Sequence, residues 1–242
     1  MERVDDLQIN GYKLIQDTGL FCFGLDAVLL SGFAKVNKGE NTLDLGTGNG
    51  ILPVLLEAKT SGRHFTGLEI QRESVILANR NVALNMLNDK ITVVEGDIKQ
   101  AHILFEPACF DVVVSNPPYI PCGTALQNQS AARAAARHEL LCSLNDVYFA
   151  ASRLLKFGGR FYMVHRPQRI CDIITLGRKH RLEVKRLRFV HSLAENPAML
   201  VLAEFGSGRN AECRVLPPLV IYEAKGVYSR EYNEIYALHA SK

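Results

Sequence analysis

From Thr42 onward, short runs rich in Val, Ile, Leu and Phe alternate with longer stretches whose apolar residues recur at helical spacing. The runs fall at Thr42–Leu45, Phe65–Ile70, Ile91–Glu95, Phe110–Ser115, Gly159–His165, Glu183–His191 and Met199–Phe205, and each reads as a strand. After the second run, Val75, Ala78, Val82 and Met86 form one stripe of a helix, with Arg72, Asn79 and Asn81 elsewhere on it. Strands separated by helices predict a parallel sheet covered on both faces. Only Ser192–Ala198 join the last two runs, too few residues for a helical crossover, so that pair is expected antiparallel. The pattern therefore predicts an α/β fold: a seven-stranded, mostly parallel sheet with one reversed strand near an edge.

The two ends read differently. Leu7–Ile15 alternates around Asn10-Gly11, a strong hairpin signal, and Leu25–Phe33 has the spacing of a short helix. Residues 1–38 are thus expected to form a hairpin-and-helix flap on a core of residues 39–206. Residues 207–242 form a tail with a short strand at Leu219–Tyr222, a turn at Gly226 and a helix from Ser229, with Tyr232, Ile235 and Tyr236 on its apolar side.

Composition narrows the class. A chain of 242 residues, 48% hydrophobic and 22% charged, buries one sizeable core. No run of about 18 apolar residues and no charged-then-apolar leader is present, so a cytoplasmic protein without a membrane span is expected. The six cysteines (Cys22, Cys109, Cys122, Cys142, Cys171 and Cys213) show no C-x-x-C spacing, which predicts reduced thiols and no metal site. Net charge is only +3, but nine basic residues lie between Arg160 and Arg188, among them Arg166, Arg169, Lys179 and Arg181. Within that block only Asp172 and Glu183 oppose them. It reads either as a positive face for a polyanion or as the solvated side of a helix and strand.

Candidate chemistry gathers at successive strand ends. Asp44-Leu45-Gly46-Thr47-Gly48-Asn49-Gly50 closes the first core strand and opens a helix, where glycines permit a tight turn and close approach of a ligand. Ile51 stands where a dinucleotide fingerprint would place its third glycine, so that motif is absent. Glu69 ends the second strand, where a carboxylate can accept both hydroxyls of a ribose. Asp97, past the third strand, is placed to accept from an adenine amine, with Ile70 and Ile98 beside the two acids. Singly, each acid reads more simply as an exposed strand end or a helix cap; it is their recurrence at successive strand ends on one sheet edge that points to a ligand. The fourth strand delivers Asn116-Pro117-Pro118-Tyr119. Two prolines supply carbonyl acceptors without N–H donors on a stiff backbone, and Tyr119 adds an aromatic face. Such a turn suits gripping an –NH₂ group and flattening a ring.

With these residues in place, the chain resembles the class I S-adenosylmethionine-dependent methyltransferases, with Asp44–Gly50 as cofactor loop and Asn116–Tyr119 as the N-P-P-Y motif of enzymes acting on planar –NH₂ groups. Within that class it resembles the bacterial tRNA1(Val) adenine-N6-methyltransferases over nearly its whole length. The likeness includes Phe21–Phe33, Met163–Pro167, Phe189–His191 and the ending from Ile221-Tyr222 through Tyr228-Ser229 to Ile235-Tyr236. It departs at Leu25, before Asp26, where some relatives carry a small hydroxyl residue. The resemblance implies a Rossmann-like core and S-adenosyl-L-methionine as cofactor, held by Asp44, Gly46, Thr47, Gly48, Asn49, Gly50, Glu69, Ile70, Asp97, Ile98 and Asn116. It implies Asn116, Pro117 and Tyr119 as catalytic residues and a tRNA as partner. Arg133, Arg137, Arg166, Arg169, Lys179 and Arg181 are candidates to hold flanking phosphates, and His138-Glu139 reads as structural or substrate-positioning.

The motif alone leaves alternatives. A glutamine side chain of a protein such as a peptide release factor offers the same planar –NH₂, although only about 40 residues precede the first core strand here. Enzymes of that kind carry a larger helical N-terminal domain. Guanine-N2 methylation of RNA is a second alternative, and a non-catalytic RNA-binding module is a third.

Overall fold

The structure, a computed structural model, describes residues 1–17, 24–117 and 142–236. Pro118, Tyr119, Arg133, Arg137, His138 and Glu139 lie outside the described residues, as do Cys22 and Cys122. Elements follow the sequence in the order β1 (Glu2–Asp6), β2 (Lys13–Asp17), α1 (Leu25–Phe33), β3 (Asn41–Leu45), α2 (Ile51–Lys59), β4 (His64–Glu69), α3 (Arg72–Leu84), β5 (Ile91–Glu95), α4 (Ala101–Leu104) and β6 (Phe110–Ser115). There follow α5 (Leu144–Leu154), β7 (Leu155–His165), α6 (Ile170–Lys179), β8 (Leu182–His191), β9 (Ala198–Ser207), β10 (Arg214–Val215), β11 (Leu219–Val220), the hairpin β12 (Tyr222–Ala224) and β13 (Val227–Tyr228), and α7 (Arg230–Tyr236).

The central sheet runs β5-β4-β3-β6-β7-β9-β8, and all of its pairs are parallel except those of β9, which is antiparallel to both β7 and β8. These are the seven strands expected from the pattern, with the reversed strand next to last. Two further strands of two residues each, β10 and β11, pair with the outer side of β8 and bring the sheet to nine. Both come from the tail: β11 falls within the short strand expected at Leu219–Tyr222, whereas β10 is too short to leave a periodic signal.

Period-two alternation assigns each strand residue to one of two cores. Val112 and Val114, Tyr162 and Val164, and Leu200 and Leu202 face α1, α2 and α7. Val113, Phe161 and Met163, and Val201, Ala203 and Phe205 face α4, α5 and α6. Helix α1 is buried on most of its surface, with Leu29 and Leu30 fully inaccessible. Truncating either to alanine removes on the order of 2–5 kcal/mol. Ser143 starts α5 with a capping box: its hydroxyl accepts from the Asp146 N–H at 3.3 Å, and its own N–H donates to the Asp146 carboxylate at 2.9 Å.

Two expectations shift. The N-terminal hairpin forms, but its strands lie outside Leu7–Tyr12. Left-handed backbone at Gln8, Asn10 and Gly11 turns that stretch into the connection, and Leu7 and Ile9 point into the core. Their alternation reported burial of a loop, not pairing of a strand. On α3, the expected stripe holds for Val75, Ala78 and Val82, but the helix ends at Leu84. Met86 sits in left-handed backbone at φ +56° and is 85% exposed, whereas Asn81 is wholly buried.

Candidate active site

Chain order leaves β3 outward through β4 to β5, then returns to place β6 on the other side of β3. That reversal opens a crevice at the carboxyl edge of the sheet. The loop after β3 and the turn after β6 are therefore neighbours, and a cleft is lined from both sides by Gly46, Thr47, Gly48, Asn49, Glu69, Ile70, Asp97, Ile98, Asn116 and Pro117. Of the cofactor and catalytic candidates among the described residues, all converge here except Asp44 and Gly50, which sit at the two ends of the loop. The cleft is also lined by Ala27 of α1, Gln71, Ser74, Ser115, Cys142 and Val147. These carried no motif of their own.

The loop owes its shape to glycine. Gly46, Gly48 and Gly50 adopt φ of +79°, +56° and +82°, conformations that side chains with a Cβ resist. The N–H groups of Gly46 and Thr47 both donate to the Leu68 carbonyl, at 2.9 and 3.0 Å, which fastens the loop to β4. Gly67, in the middle of β4, makes room for this: a Cβ there would lie 2.7 Å from Thr47 Oγ1 and Cγ2. A glycine inside a strand is the one trace such an approach leaves in the sequence. Opposite, the Ser115 hydroxyl donates to the Leu45 carbonyl at 2.8 Å, joining the ends of β3 and β6.

The acids divide the work. Glu69 is buried; one carboxylate oxygen accepts from the Gly48 N–H and the other from the Gln71 N–H, both at 2.9 Å. The carboxylate thus shapes the loop, and each oxygen keeps a lone pair for a hydroxyl. Asp97 caps a short 3-10 turn by accepting from the Lys99 N–H at 2.9 Å, so the helix-cap reading is realised in a residue that still faces the cleft. Asp44 is 1% exposed and neither of its carboxylate oxygens accepts a hydrogen bond. Burial pushes its carboxyl up to about 7; the Thr47 hydroxyl nearby opposes this without reaching hydrogen-bond geometry, and the Glu69 carboxylate adds to it. Thr47 Oγ1 and Asn49 Nδ2 are likewise buried and unpartnered. Orphaned buried acceptors and donors beside a cleft match a ligand carrying an ammonium, a carboxylate and hydroxyls. Asp26, in the first turn of α1, is raised by burial and opposed by the Arg166 charge.

The basic block is largely compensated by partners that are distant in sequence. Arg160 pairs with Glu40, Arg186 with Glu204 and Arg188 with Glu231, while Arg169 pairs with Asp172 and Arg178 with Glu183. Counting charge within the block missed the acids that the sheet and tail bring across. Topology also separates the phosphate candidates. Arg166 and Arg169 follow β7 on the cleft edge, whereas Lys179 and Arg181 precede β8 on the opposite edge. The structure does not bring those two to the cleft. Among the described residues no His, Cys, Asp and Glu cluster could hold a metal, the described cysteines are free thiols, and no helix is long and apolar enough to cross a membrane.

Fold and cleft together define a methyltransferase, and a family profile described as a methyltransferase domain matches residues 36–199; the chain belongs to that family. Its cofactor is S-adenosyl-L-methionine. More particularly, it is 30% identical over 217 residues to a tRNA1(Val) (adenine(37)-N6)-methyltransferase of Porphyromonas gingivalis, which covers 86% of this chain and 84% of that protein. A protein of the same name from Bacteroides thetaiotaomicron is 30% identical over 240 residues, covering 96% and 97%. Among solved structures, a predicted O-methyltransferase from Agrobacterium tumefaciens superposes with a TM-score of 0.71 at 21% identity, covering 90% of this chain and 98% of that one. The tRNA m1G37 methyltransferase of Methanocaldococcus jannaschii does so at 0.55 and 16%, covering 86% and 57%.

Proposed function

We propose that this protein transfers a methyl group to the exocyclic N6 amine of an adenine in the anticodon region of a tRNA. The observation that carries the reading is the adjacency of Asn116-Pro117 at the end of β6 to the Gly46–Gly50 loop at the end of β3, across one crevice. When bound, S-adenosyl-L-methionine supplies a methyl group made electrophilic by its sulfonium. Glu69 would hold ribose hydroxyls, Asp97 with Ile70 and Ile98 the adenine, and the Gly46–Gly50 loop the amino-acid portion.

An adenine amine is a weak nucleophile because its lone pair is shared with the ring. As nitrogen attacks, positive charge grows on its two N–H groups. Acceptors aimed at those hydrogens therefore bind the transition state better than the ground state. The Asn116 side-chain carbonyl and the Pro117 backbone carbonyl are assigned that role. Tyr119 is assigned to stack on the base and hold nitrogen in line. The proton left on the methylated nitrogen is acidic enough to leave to water, so no dedicated base is invoked. A base in an anticodon loop is single-stranded and can be splayed out cheaply. Arg166 and Arg169, on the cleft edge, would hold flanking phosphates together with Arg133 and Arg137. The names of the relatives support the choice of tRNA.

The test is incubation with labelled cofactor and either total bacterial tRNA or a peptide release factor, followed by mass spectrometry of the product. N6-methyladenosine in a tRNA is expected. N2-methylguanosine, methylglutamine or no transfer to RNA would overturn the proposal.

A further inference from the structure

We infer that Asn81 is a positioning residue for the cofactor loop and that through it the N-terminal hairpin forms part of the cofactor site. The inference rests on Gly46–Gly50 being that loop. Asn81 lies in the last turn of α3, a poor place for asparagine on helix propensity alone, and is 0% exposed. Its amide makes three hydrogen bonds, all to backbone. Oδ1 accepts from the Ile15 N–H at 2.7 Å, while Nδ2 donates to the Ile15 carbonyl at 3.1 Å and to the Asn49 carbonyl at 2.9 Å. The partners fix which end is which, since only the NH₂ can serve two carbonyls.

Four residues on, at the C-cap of α3, Asn85 repeats half of this arrangement. It exchanges both hydrogen bonds with the backbone of Lys13, each at 2.8 Å, and donates also to the Asn81 carbonyl. Four residues of helix rise about 6 Å, close to the length of two residues of strand. Two amides four apart can therefore pair alternate residues of β2 and cover its open edge. Asn85 docks the hairpin only. Asn81 docks the hairpin and, with the same nitrogen, holds the Asn49 carbonyl between two left-handed glycines of the loop. Hairpin order and loop geometry are thus linked through one side chain, and linkage acts in both directions.

The pair provides its own control. Calorimetry of S-adenosyl-L-methionine binding should show affinity falling at least 10-fold in Asn81→Ala and staying within about 3-fold of wild type in Asn85→Ala, which breaks the same kind of docking without touching the loop. Asn81→Asp keeps the acceptor for Ile15 but loses both donors. Its affinity should be low at pH 8 and recover in part as pH falls and a neutral acid can again donate. Equal losses in Asn81→Ala and Asn85→Ala, or no loss in either, would overturn the inference. Hydrogen exchange on the wild-type protein supplies a test that needs no variant to fold. Cofactor should slow exchange of the Ile15 amide several-fold, and an unchanged Ile15 amide overturns the linkage. Failure of the wild-type protein to bind the cofactor at all would instead strike the assignment of the loop.

Discussion

A methyl group added at Gly67 meets Thr47 from directly beneath the Gly46–Gly50 loop. In Gly67→Ala the new Cβ lies 2.7 Å from Thr47 Oγ1 and Cγ2 and 2.9 Å from Thr47 Cβ. Comfortable contact begins near 3.5 Å, so the two must separate by roughly 0.8 Å. Thr47 is only 4% exposed, and its N–H is tied to the Leu68 carbonyl on the same strand, so the loop has to lift away from β4. Overpacking of this kind costs about 1–3 kcal/mol. Thermal unfolding should therefore show Gly67→Ala destabilised by that amount, and calorimetry should show weakened binding of S-adenosyl-L-methionine. Adding Thr47→Ala removes two of the three close contacts and should recover part of the lost stability, a coupling that a double-mutant cycle reads directly. Gly67→Ala with wild-type stability and wild-type affinity would refute the claim that this glycine exists to seat the loop.

Other perturbations give separate checks. Asn116→Ala should lower kcat by about 100-fold or more while leaving the protein folded, by analogy with the loss of a transition-state hydrogen-bond partner; near wild-type turnover would remove Asn116 from the mechanism. Asp44 has its carboxyl raised from 3.8 to about 7, so between those values the native state holds a proton that the unfolded state has released. Stability of the cofactor-free protein should fall as pH rises through that window, by on the order of 4 kcal/mol from this group. In urea titrations Asp44→Asn should flatten the slope. Lys59 donates to the Ser31 hydroxyl at 2.9 Å and to the Ile235 carbonyl at 3.0 Å, and burial lowers its ammonium from 10.5 to about 8. Its contribution has the opposite sign, with stability rising between pH 8 and 10.5, and Lys59→Met should abolish that rise and expose the C-terminal helix to limited proteolysis.

The sheet was legible in the sequence because strands buried on both faces leave unbroken apolar runs, and the seven-residue link Ser192–Ala198 alone dictated the reversed strand. Glycines in alternate positions announced a turn, and each of Gly46, Gly48 and Gly50 does adopt left-handed backbone. What pattern could not supply was side chain to backbone bonding across the fold. Asn81 read as a polar residue off the apolar stripe, yet it is fully buried because three backbone groups satisfy its amide. The basic block read as a surplus of charge because Glu40, Glu204 and Glu231 lie outside it in sequence and beside it in space. Met86 followed the helical spacing past the point where the backbone turned.

The most direct measurement is a crystal structure with S-adenosylhomocysteine bound. The account predicts ribose hydroxyls on the Glu69 carboxylate, the amino-acid portion along Gly46–Gly50, and the sulfur turned toward Asn116 and Pro117. A ligand seated away from this edge of the sheet, or one whose sulfur faces away from Asn116, would contradict it.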